Sequence, residues 1–188
     1  ITLVEVLDSA VQKLDTDLAG QPARKAELRN SLGRTYYFMN LPEKAVPLQE
    51  AALEYHRAES GPTSREAIWV MHNLAFSYWK AGRRPESIKM QEDLVALRTK
   101  VQGENDVDTI IAIATVAASY HKERRFDEAI KLLEKVVKLA GQALGPKHDY
   151  TLVQMESLAI VLEDAGRPEE AEVWRKKKAE LEGEDSES

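Results

Sequence analysis

The sequence predicts an all-α protein, an α-solenoid of about nine helices stacked as antiparallel pairs, because three ladders of similar residues recur along it. The first ladder joins an apolar residue, a small residue and a residue three positions further on, and each copy lies 42 residues after the last: Leu32, Gly33, Tyr36; Leu74, Ala75, Tyr78; Val116, Ala117, Tyr120; Leu158, Ala159, Leu162. The second ladder has the same spacing: Ala45, Ser87, Ala129, Ala171. The third consists of glycines, with the last one assigned as its end: Gly61, Gly103, Gly145, Gly183. Such periodicity is typical of solenoids, in which each unit buries its apolar face against its neighbours.

Composition limits the classes of function. The hydrophobic content of 43% is ordinary for a globular protein, and no apolar run reaches the roughly eighteen residues of a membrane span. A net charge of −6 argues against a nucleic-acid binder, which needs a basic surface to displace counterions. The absence of cysteine excludes disulfides, thiol catalysis and cysteine metal sites. Because the chain starts at Ile1 without a leader, we expect a segment of a longer protein.

A leading half-repeat is predicted over 1–22. Residues 2–18 place apolar side chains on one helical face: Leu3, Leu7, Ala10, Val11, Leu14, Leu18. Thr2 and Glu5 are spaced as a capping box at the start of this helix. Leu3 lies 42 residues before Ala45, so the helix is in register with the second helix of each later pair.

The first helix of the next pair is predicted over 23–39. Gly33 lies inside it, at a cost of about 1 kcal/mol relative to Ala, and its counterparts are Ala75, Ala117 and Ala159. This position therefore demands a small residue because another helix crosses closely there. Asn40 follows the helix, and its counterparts are Gly82, Arg124 and Gly166. Asn and Gly tolerate the left-handed backbone of a helix end, so Arg124 is expected to end its helix differently.

The remaining helices follow the same register. Second helices are predicted at about 42–58, 85–101, 126–143 and 168–182, with Pro42, Pro85 and Pro168 in first turns. First helices begin near 64, 107 and 149, and Thr63 with Glu66 predicts a capping box. The repeats are thus 23–64, 65–106, 107–148 and 149–182, within a single domain over 1–182. Residues 183–188 predict a disordered acidic tail.

The ladder of small and aromatic positions resembles the tetratricopeptide repeat, and the junction Gly145–Thr151 resembles that of kinesin-light-chain-type repeats with a 42-residue period. This resemblance, over about 1–182, implies a right-handed solenoid whose first helices line a concave groove that binds a protein or peptide. The opening of the chain, through AELRNSLGRTYY, also resembles repeat regions that follow bacterial serine/threonine kinase domains. That likeness implies a regulatory or recruitment module of a kinase, cytoplasmic by default and extracytoplasmic if the parent is membrane-anchored. No kinase motif is present in the sequence itself.

The candidate site is the set of groove-facing positions counted from the repeat anchors. The predicted peptide-binding residues are Asn30, Arg34, Tyr37, Trp69, His72, Asn73, Phe76, Trp79, Lys80, Thr115, Ala118, His121 and Lys122. Four aromatic side chains among them are spaced 3, 4 and 3 and share one stripe: Trp69, His72, Phe76, Trp79. The same counting places further residues on this face: Glu27, Phe38, Ile111, Ala114, Val153, Glu156, Ile160, Glu163, Asp164. The alternative is that Trp69 and Phe76 fill space between successive first helices.

The partner predicted by this set is a protein or peptide with apolar anchors and some negative charge, because Arg34, Lys80 and Lys122 flank the aromatic residues. A clamp for a chaperone's terminal carboxylates is not expected, since only Asn73 matches that pattern outright. Kinesin-light-chain repeats carry paired Asn on this helix that bind peptide backbone. The corresponding positions here are His72 and Asn73, so one of the two Asn residues is present.

Chemistry is not expected in this segment. The four histidines lack metal-pair spacing, His148 matches a structural junction position, and no nucleophile elbow is present. We therefore expect no metal, no cofactor, no catalysis, no nucleic acid and no membrane contact by this segment. The basic run 175–178 is predicted to be a solvated face. The alternative function is self-association, for example as a homodimer, through end-helix residues Leu3, Leu7, Trp174 and Leu181.

Overall fold

The computed structural model describes residues 2–183, which form nine α-helices with no strand among them. The helices are α1 Leu3–Asp17, α2 Pro22–Phe38, α3 Pro42–Glu59, α4 Arg65–Lys80, α5 Arg84–Gln102, α6 Val107–Lys122, α7 Phe126–Ala143, α8 Asp149–Asp164 and α9 Pro168–Gly183. The prediction of an all-α fold is confirmed, and the predicted helices agree with these bounds to within a few residues. Most of the predicted disordered tail, 184–188, lies outside the described residues. None of the helices in 2–183 is long and apolar enough to cross a bilayer.

The chain divides into two compact units, Ile1–Leu94 and Val95–Ser188. In the first unit α2 packs against α3 and α3 against α4, and Leu7 and Val11 of α1 pack against a core that contains Tyr36, Ala45 and Leu48. In the second unit α6 packs against α7, α7 against α8 and α8 against α9. Its larger core gathers the apolar faces of these helices: Ala117, Ala129, Leu133, Leu158, Ala159, Leu162, Ala171. Each unit therefore buries apolar residues that recur with the 42-residue period.

The small ladder positions lie where paired helices cross. A Cβ atom placed on Gly33 would lie 2.6 Å from Gln49 Cγ and 3.1 Å from the Ala45 carbonyl oxygen. In the next pair the Ser87 hydroxyl donates to the Ala75 carbonyl at 2.7 Å. All four residues of the second ladder are 0% exposed: Ala45, Ser87, Ala129, Ala171. The prediction that close helix crossings demand small residues is confirmed.

The first helices all end in the same left-handed turn. The backbone φ is 61° at Asn40, 76° at Gly82, 59° at Arg124 and 77° at Gly166. In each case the following residue donates its N–H to a carbonyl five residues back: Leu41 to Tyr36, Arg83 to Tyr78, Arg125 to Tyr120 and Arg167 to Leu162. These are Schellman turns. The expectation that Arg124 ends its helix differently is wrong, because the turn that joins each pair imposes the same backbone on a residue that disfavours it.

The helix N-termini confirm one predicted cap and correct another. Thr2 and Glu5 form the predicted capping box, with the Thr2 N–H donating to Glu5 Oε2 at 2.7 Å. The predicted box of Thr63 and Glu66 is wrong, since Ser64 is the N-cap of α4 and its Oγ accepts from the Ala67 N–H at 3.2 Å. His148 caps α8, because its Nδ1 accepts from the Tyr150 N–H at 3.1 Å, which confirms a structural role. Three ladder glycines precede these caps with positive φ: Gly61, Gly103, Gly145. Gly183 does not belong to that ladder, because it is the last residue of α9.

At two helix contacts a buried tyrosine donates its hydroxyl to a carboxylate, which was not predicted from the sequence. The Tyr36 hydroxyl donates to Asp8 Oδ1 at 2.7 Å, and Lys44 pairs with the same carboxylate. The Tyr78 hydroxyl likewise donates to Glu50 Oε1 at 2.7 Å, and Arg83 donates to it at 3.1 Å. Burial and the bond to Asp8 raise the pKa of Tyr36 to about 12. Burial and the bond to Glu50 raise the pKa of Tyr78 to about 12, although Arg83 opposes the rise.

Candidate functional site

A row of three rings, of which Trp69 is exposed and His72 and Phe76 are half-buried, lies on α4 in the first unit. Trp69 is 46% exposed, and its indole stacks on the His72 ring at 5.8 Å between centroids with 6° between the planes. The His72 ring meets the Phe76 ring edge-on at 5.0 Å and 68°. Three of the four predicted stripe residues therefore form a continuous row. We call Trp69, His72 and Phe76 the aromatic row.

Cations from the two first helices lie over aromatic rings of this unit. The Arg34 guanidinium of α2 is 5.2 Å from the centre of the Trp69 ring. Lys80 Nζ of α4 is 4.2 Å from the centre of the Tyr37 ring and donates to the Tyr37 carbonyl at 3.0 Å. Such cation–π contacts contribute about 0.5–1 kcal/mol each at exposed sites. The structure therefore brings Arg34, Tyr37 and Lys80 together with aromatic side chains on the predicted face.

Trp79 and Phe38 lie at the C-terminal ends of these helices. Trp79 is half-buried, and the Arg84 guanidinium of α5 is 3.9 Å from the centre of its ring. Arg84 is a neighbour of the site that the sequence did not indicate. Phe38 is exposed, and its ring meets Tyr37 edge-on at 5.3 Å. Trp79 thus contacts a second helix, which its predicted position on the stripe did not indicate.

Asn30 does not lie on the open face. It is only 7% exposed, and its Oδ1 accepts from the Asn73 Nδ2 at 3.3 Å. The prediction that Asn30 is a groove-facing contact is corrected: its side chain is buried and is hydrogen-bonded to Asn73 on the neighbouring first helix. Asn73 itself is half-buried.

The second unit presents aliphatic rather than aromatic side chains on its first helices. Ile111, Val153 and Ile160 are exposed, and so are the predicted residues Ala118 and Lys122. The Thr115 hydroxyl donates to the Ile111 carbonyl at 2.9 Å within its own helix. His121 Nε2 and Asp164 Oδ2 lie 2.6 Å apart, so this histidine is held between α6 and α8. The predicted face of this unit therefore offers exposed aliphatic side chains, with Lys122 and the His121–Asp164 pair beside them.

Two acidic residues predicted on this face, Glu156 and Glu163, are hydrogen-bonded to basic residues of α9 within the second unit. Arg175 Nη2 donates to Glu163 at 2.8 Å, and Lys178 Nζ donates to Glu156 at 3.1 Å. The bond from Lys178 is the main cause that lowers the pKa of Glu156, and the bond from Arg175 does the same for Glu163. The prediction that the basic run is a solvated face is wrong for Arg175 and Lys178, because both bind α8.

The end-helix residues proposed for self-association differ in exposure. Leu3 is 61% exposed. Leu7 packs against the core of the first unit, and Trp174 and Leu181 pack against the core of the second. Of these four side chains Leu3 is exposed, and Leu7, Trp174 and Leu181 are partly buried.

Comparisons with known proteins identify the repeat. The tetratricopeptide repeat (TPR) family model matches residues 24–100 and 108–174. No protein of curated function matches the sequence. A solved structure of the nearly identical TPR-like repeats assigned to kinesin light chain in Podosopora anserina is 22% identical, with 87% of this chain and 77% of that one covered and a TM-score of 0.75. BtubC (BKLC) from P. vanneervenii is 14% identical, with 97% and 72% covered and a TM-score of 0.77. MamA is 19% identical, with 97% and 92% covered and a TM-score of 0.65.

Proposed function

Because this chain belongs to the tetratricopeptide repeat family, whose members are generally non-enzymatic scaffolds for protein interactions, we propose that it binds a protein or peptide along the exposed face of its first helices. The observation that carries the proposal is the aromatic row of α4. A tryptophan with almost half of its surface in water, held by a stacked neighbour, is already ordered and loses little freedom on binding.

The charges around the row indicate the ligand. Arg34 and Lys80 place basic side chains over the rings of Trp69 and Tyr37. A ligand with an apolar anchor and a nearby carboxylate would cover the Trp69 ring and pair with Arg34. Tryptophan and arginine are the residue types that most often dominate interface energetics. We therefore propose peptides that combine apolar anchors with acidic residues as the ligands of the first unit.

A peptide array tests this proposal. Wild type, Trp69→Ala and the control Val173→Ala would be compared on the same array, since Val173 is a 66% exposed apolar residue on a second helix. Circular dichroism would confirm that each variant is folded. Peptides retained by the control and lost by Trp69→Ala would support the proposal. An array without reproducible binders, or binders that both variants retain, would refute it.

The resemblance to kinase-associated repeats supports a finer proposal. We propose that the parent protein carries a serine/threonine kinase domain and that these repeats recruit its substrates or regulators. Determining the full open reading frame tests this directly. A reading frame without kinase motifs would refute it and would leave the binding function untouched.

Self-association is the alternative proposal, and exposed Leu3 supports it. In that case the mass measured by light scattering should rise with concentration and fall back for Leu3→Asp. A mass that stays monomeric over the whole concentration range would exclude it.

A further inference from the structure

In the first unit an arginine side chain lies over the ring of each of two tryptophans. The Arg34 guanidinium of α2 is 5.2 Å from the centre of the Trp69 ring, and the Arg84 guanidinium of α5 is 3.9 Å from the centre of the Trp79 ring. Both tryptophans belong to α4, one near each end of the helix. We call Arg34 with Trp69 and Arg84 with Trp79 the two arginine–tryptophan pairs.

The repeat itself does not require these four residues. Their counterparts at the 42-residue period are Phe76, Ala118 and Ile160 for Arg34; Glu27, Ile111 and Val153 for Trp69; Tyr37, His121 and Glu163 for Trp79; and Pro42, Phe126 and Pro168 for Arg84. None of these counterparts is an arginine or a tryptophan, although all of them lie in helices of the same solenoid. The packing of the helices therefore does not explain the two pairs.

The guanidinium groups of both pairs can accept a carboxylate from a ligand. Arg34 and Arg84 are half-buried, so part of each side chain remains in contact with solvent. Among residues 2–183 neither of them has a carboxylate partner. The adjacent Arg83, in contrast, pairs with Glu50 at 3.1 Å and with Glu86 at 2.8 Å. A guanidinium that rests on a ring is restricted in position, and its fork of N–H donors matches a carboxylate.

The separation of the two pairs indicates the spacing of the carboxylates in the ligand. Trp79 follows Trp69 by ten residues on α4, which corresponds to about 15 Å along the helix axis. In an extended peptide, side chains four positions apart lie on the same side and are separated by about 13 Å. Side chains three or five positions apart point to opposite sides, and side chains eight positions apart are separated by about 26 Å.

We propose that the two arginine–tryptophan pairs together bind an extended peptide that carries two acidic residues four positions apart. One carboxylate pairs with Arg34 and the other with Arg84, while apolar side chains of the peptide cover the accessible surface of the two tryptophans. The inference rests on the proposed function and specifies its ligand. It adds Trp79 and Arg84 to the aromatic row as a second point of contact.

A series of synthetic peptides tests this spacing. All peptides have the same length and composition, with two Leu-Glu pairs in a background of serine and threonine, and the pairs are placed from two to ten positions apart. Fluorescence anisotropy of a dye on the peptide measures binding to wild type, Arg34→Met and Arg84→Met. Arg57→Met is the matched control, because Arg57 is an exposed arginine on α3 and its loss changes the net charge equally.

We expect wild type and Arg57→Met to bind the four-position peptide at least tenfold more tightly than the peptides with spacings of three, five or eight. Arg34→Met and Arg84→Met should each abolish this preference, because a single remaining arginine contacts one carboxylate whatever the spacing. Circular dichroism would confirm that all variants are folded.

Four results would overturn the inference: equal affinity across the series, a preference that Arg84→Met retains, tightest binding at ten positions as for a helical ligand, or no saturable binding by any peptide. If array peptides are lost by Trp69→Ala but bind Arg84→Met as they bind wild type, the inference fails and the proposed function stands. Array peptides that Trp69→Ala retains would refute the proposed function and the inference with it.

Discussion

The substitution Gly33→Ala tests the close crossing of α2 and α3 most sharply. Two effects of this substitution oppose each other. In an open helix interior, Ala is favoured over Gly by about 1 kcal/mol. At this crossing the new Cβ would lie 2.6 Å from Gln49 Cγ and 3.1 Å from the Ala45 carbonyl oxygen. Because Gln49 is 0% exposed, neither it nor the backbone has free space to move into.

The magnitude follows from the balance of these effects. Forcing an extra carbon into a packed core costs about 1–3 kcal/mol, which outweighs the gain in helix propensity. We expect Gly33→Ala to lower the free energy of unfolding by up to about 2 kcal/mol, which is the packing cost of about 1–3 kcal/mol less the propensity gain of about 1 kcal/mol. For a chain of this size that corresponds to a fall of several degrees in the melting temperature, at about 2–4 °C per kcal/mol.

Gly141 provides a matched control within α7. A Cβ placed there would meet only Thr151 Cγ2, at an ordinary 3.9 Å. Gly141→Ala should therefore raise stability by about 0.5–1 kcal/mol, through helix propensity alone. Urea unfolding followed by far-ultraviolet circular dichroism measures both variants. If Gly33→Ala stabilised the protein as much as Gly141→Ala does, the close-crossing argument would be refuted.

Other substitutions and a pH titration test the remaining structural assignments. Arg124→Gly should stabilise the protein by about 1 kcal/mol in urea unfolding, because it removes a left-handed non-glycine residue; destabilisation would contradict the Schellman assignment. Ser64→Ala should cost about 1 kcal/mol and Thr63→Ala almost nothing, so equal losses would argue against Ser64 as the cap. Tyrosine absorbance should show Tyr36 and Tyr78 titrating near pH 12, above the usual 10.0. Since the folded state holds these protons more tightly than the unfolded state, the two hydroxyl groups contribute their full stabilisation below pH 10.0 and lose it as the pH rises towards 12. Titration of both tyrosines near pH 10.0 would refute the assigned bonds to Asp8 and Glu50.

Much of the fold follows from local requirements that sequence carries directly. A close helix crossing requires a small residue at positions such as Ala75 and Ala117, and a helix end requires a left-handed residue at positions such as Gly82. Because these residue types recur every 42 residues, they indicate where the helices lie and where they end. Arg124 shows the limit of this reasoning, because the turn of the repeat overrides the preference of one residue. Ser64 shows another, since two adjacent hydroxyl residues compete for one cap and only the backbone decides between them.

The polar contacts between helices were harder to foresee. Asp8 binds Tyr36 and Glu50 binds Tyr78 across 28 residues of sequence. The signal was available, because Asp8 and Glu50 are themselves 42 residues apart and lie in equivalent positions.

On the candidate face the register gives the position of each residue but not the reach of its side chain. Asn30 is buried and accepts a hydrogen bond from Asn73, and Glu163 accepts one from Arg175. The aromatic row could be predicted because its ring spacing alone fixes one stripe of a single helix.

The central claim, that the aromatic row is a binding surface, is tested most directly by titrating the strongest array peptide into wild type and Trp69→Ala by isothermal calorimetry. We predict that the Kd weakens at least tenfold for Trp69→Ala, which corresponds to about 1.4 kcal/mol, while Val173→Ala binds like wild type. A Kd unchanged by the loss of Trp69, in a variant that circular dichroism shows to be folded, would contradict the claim.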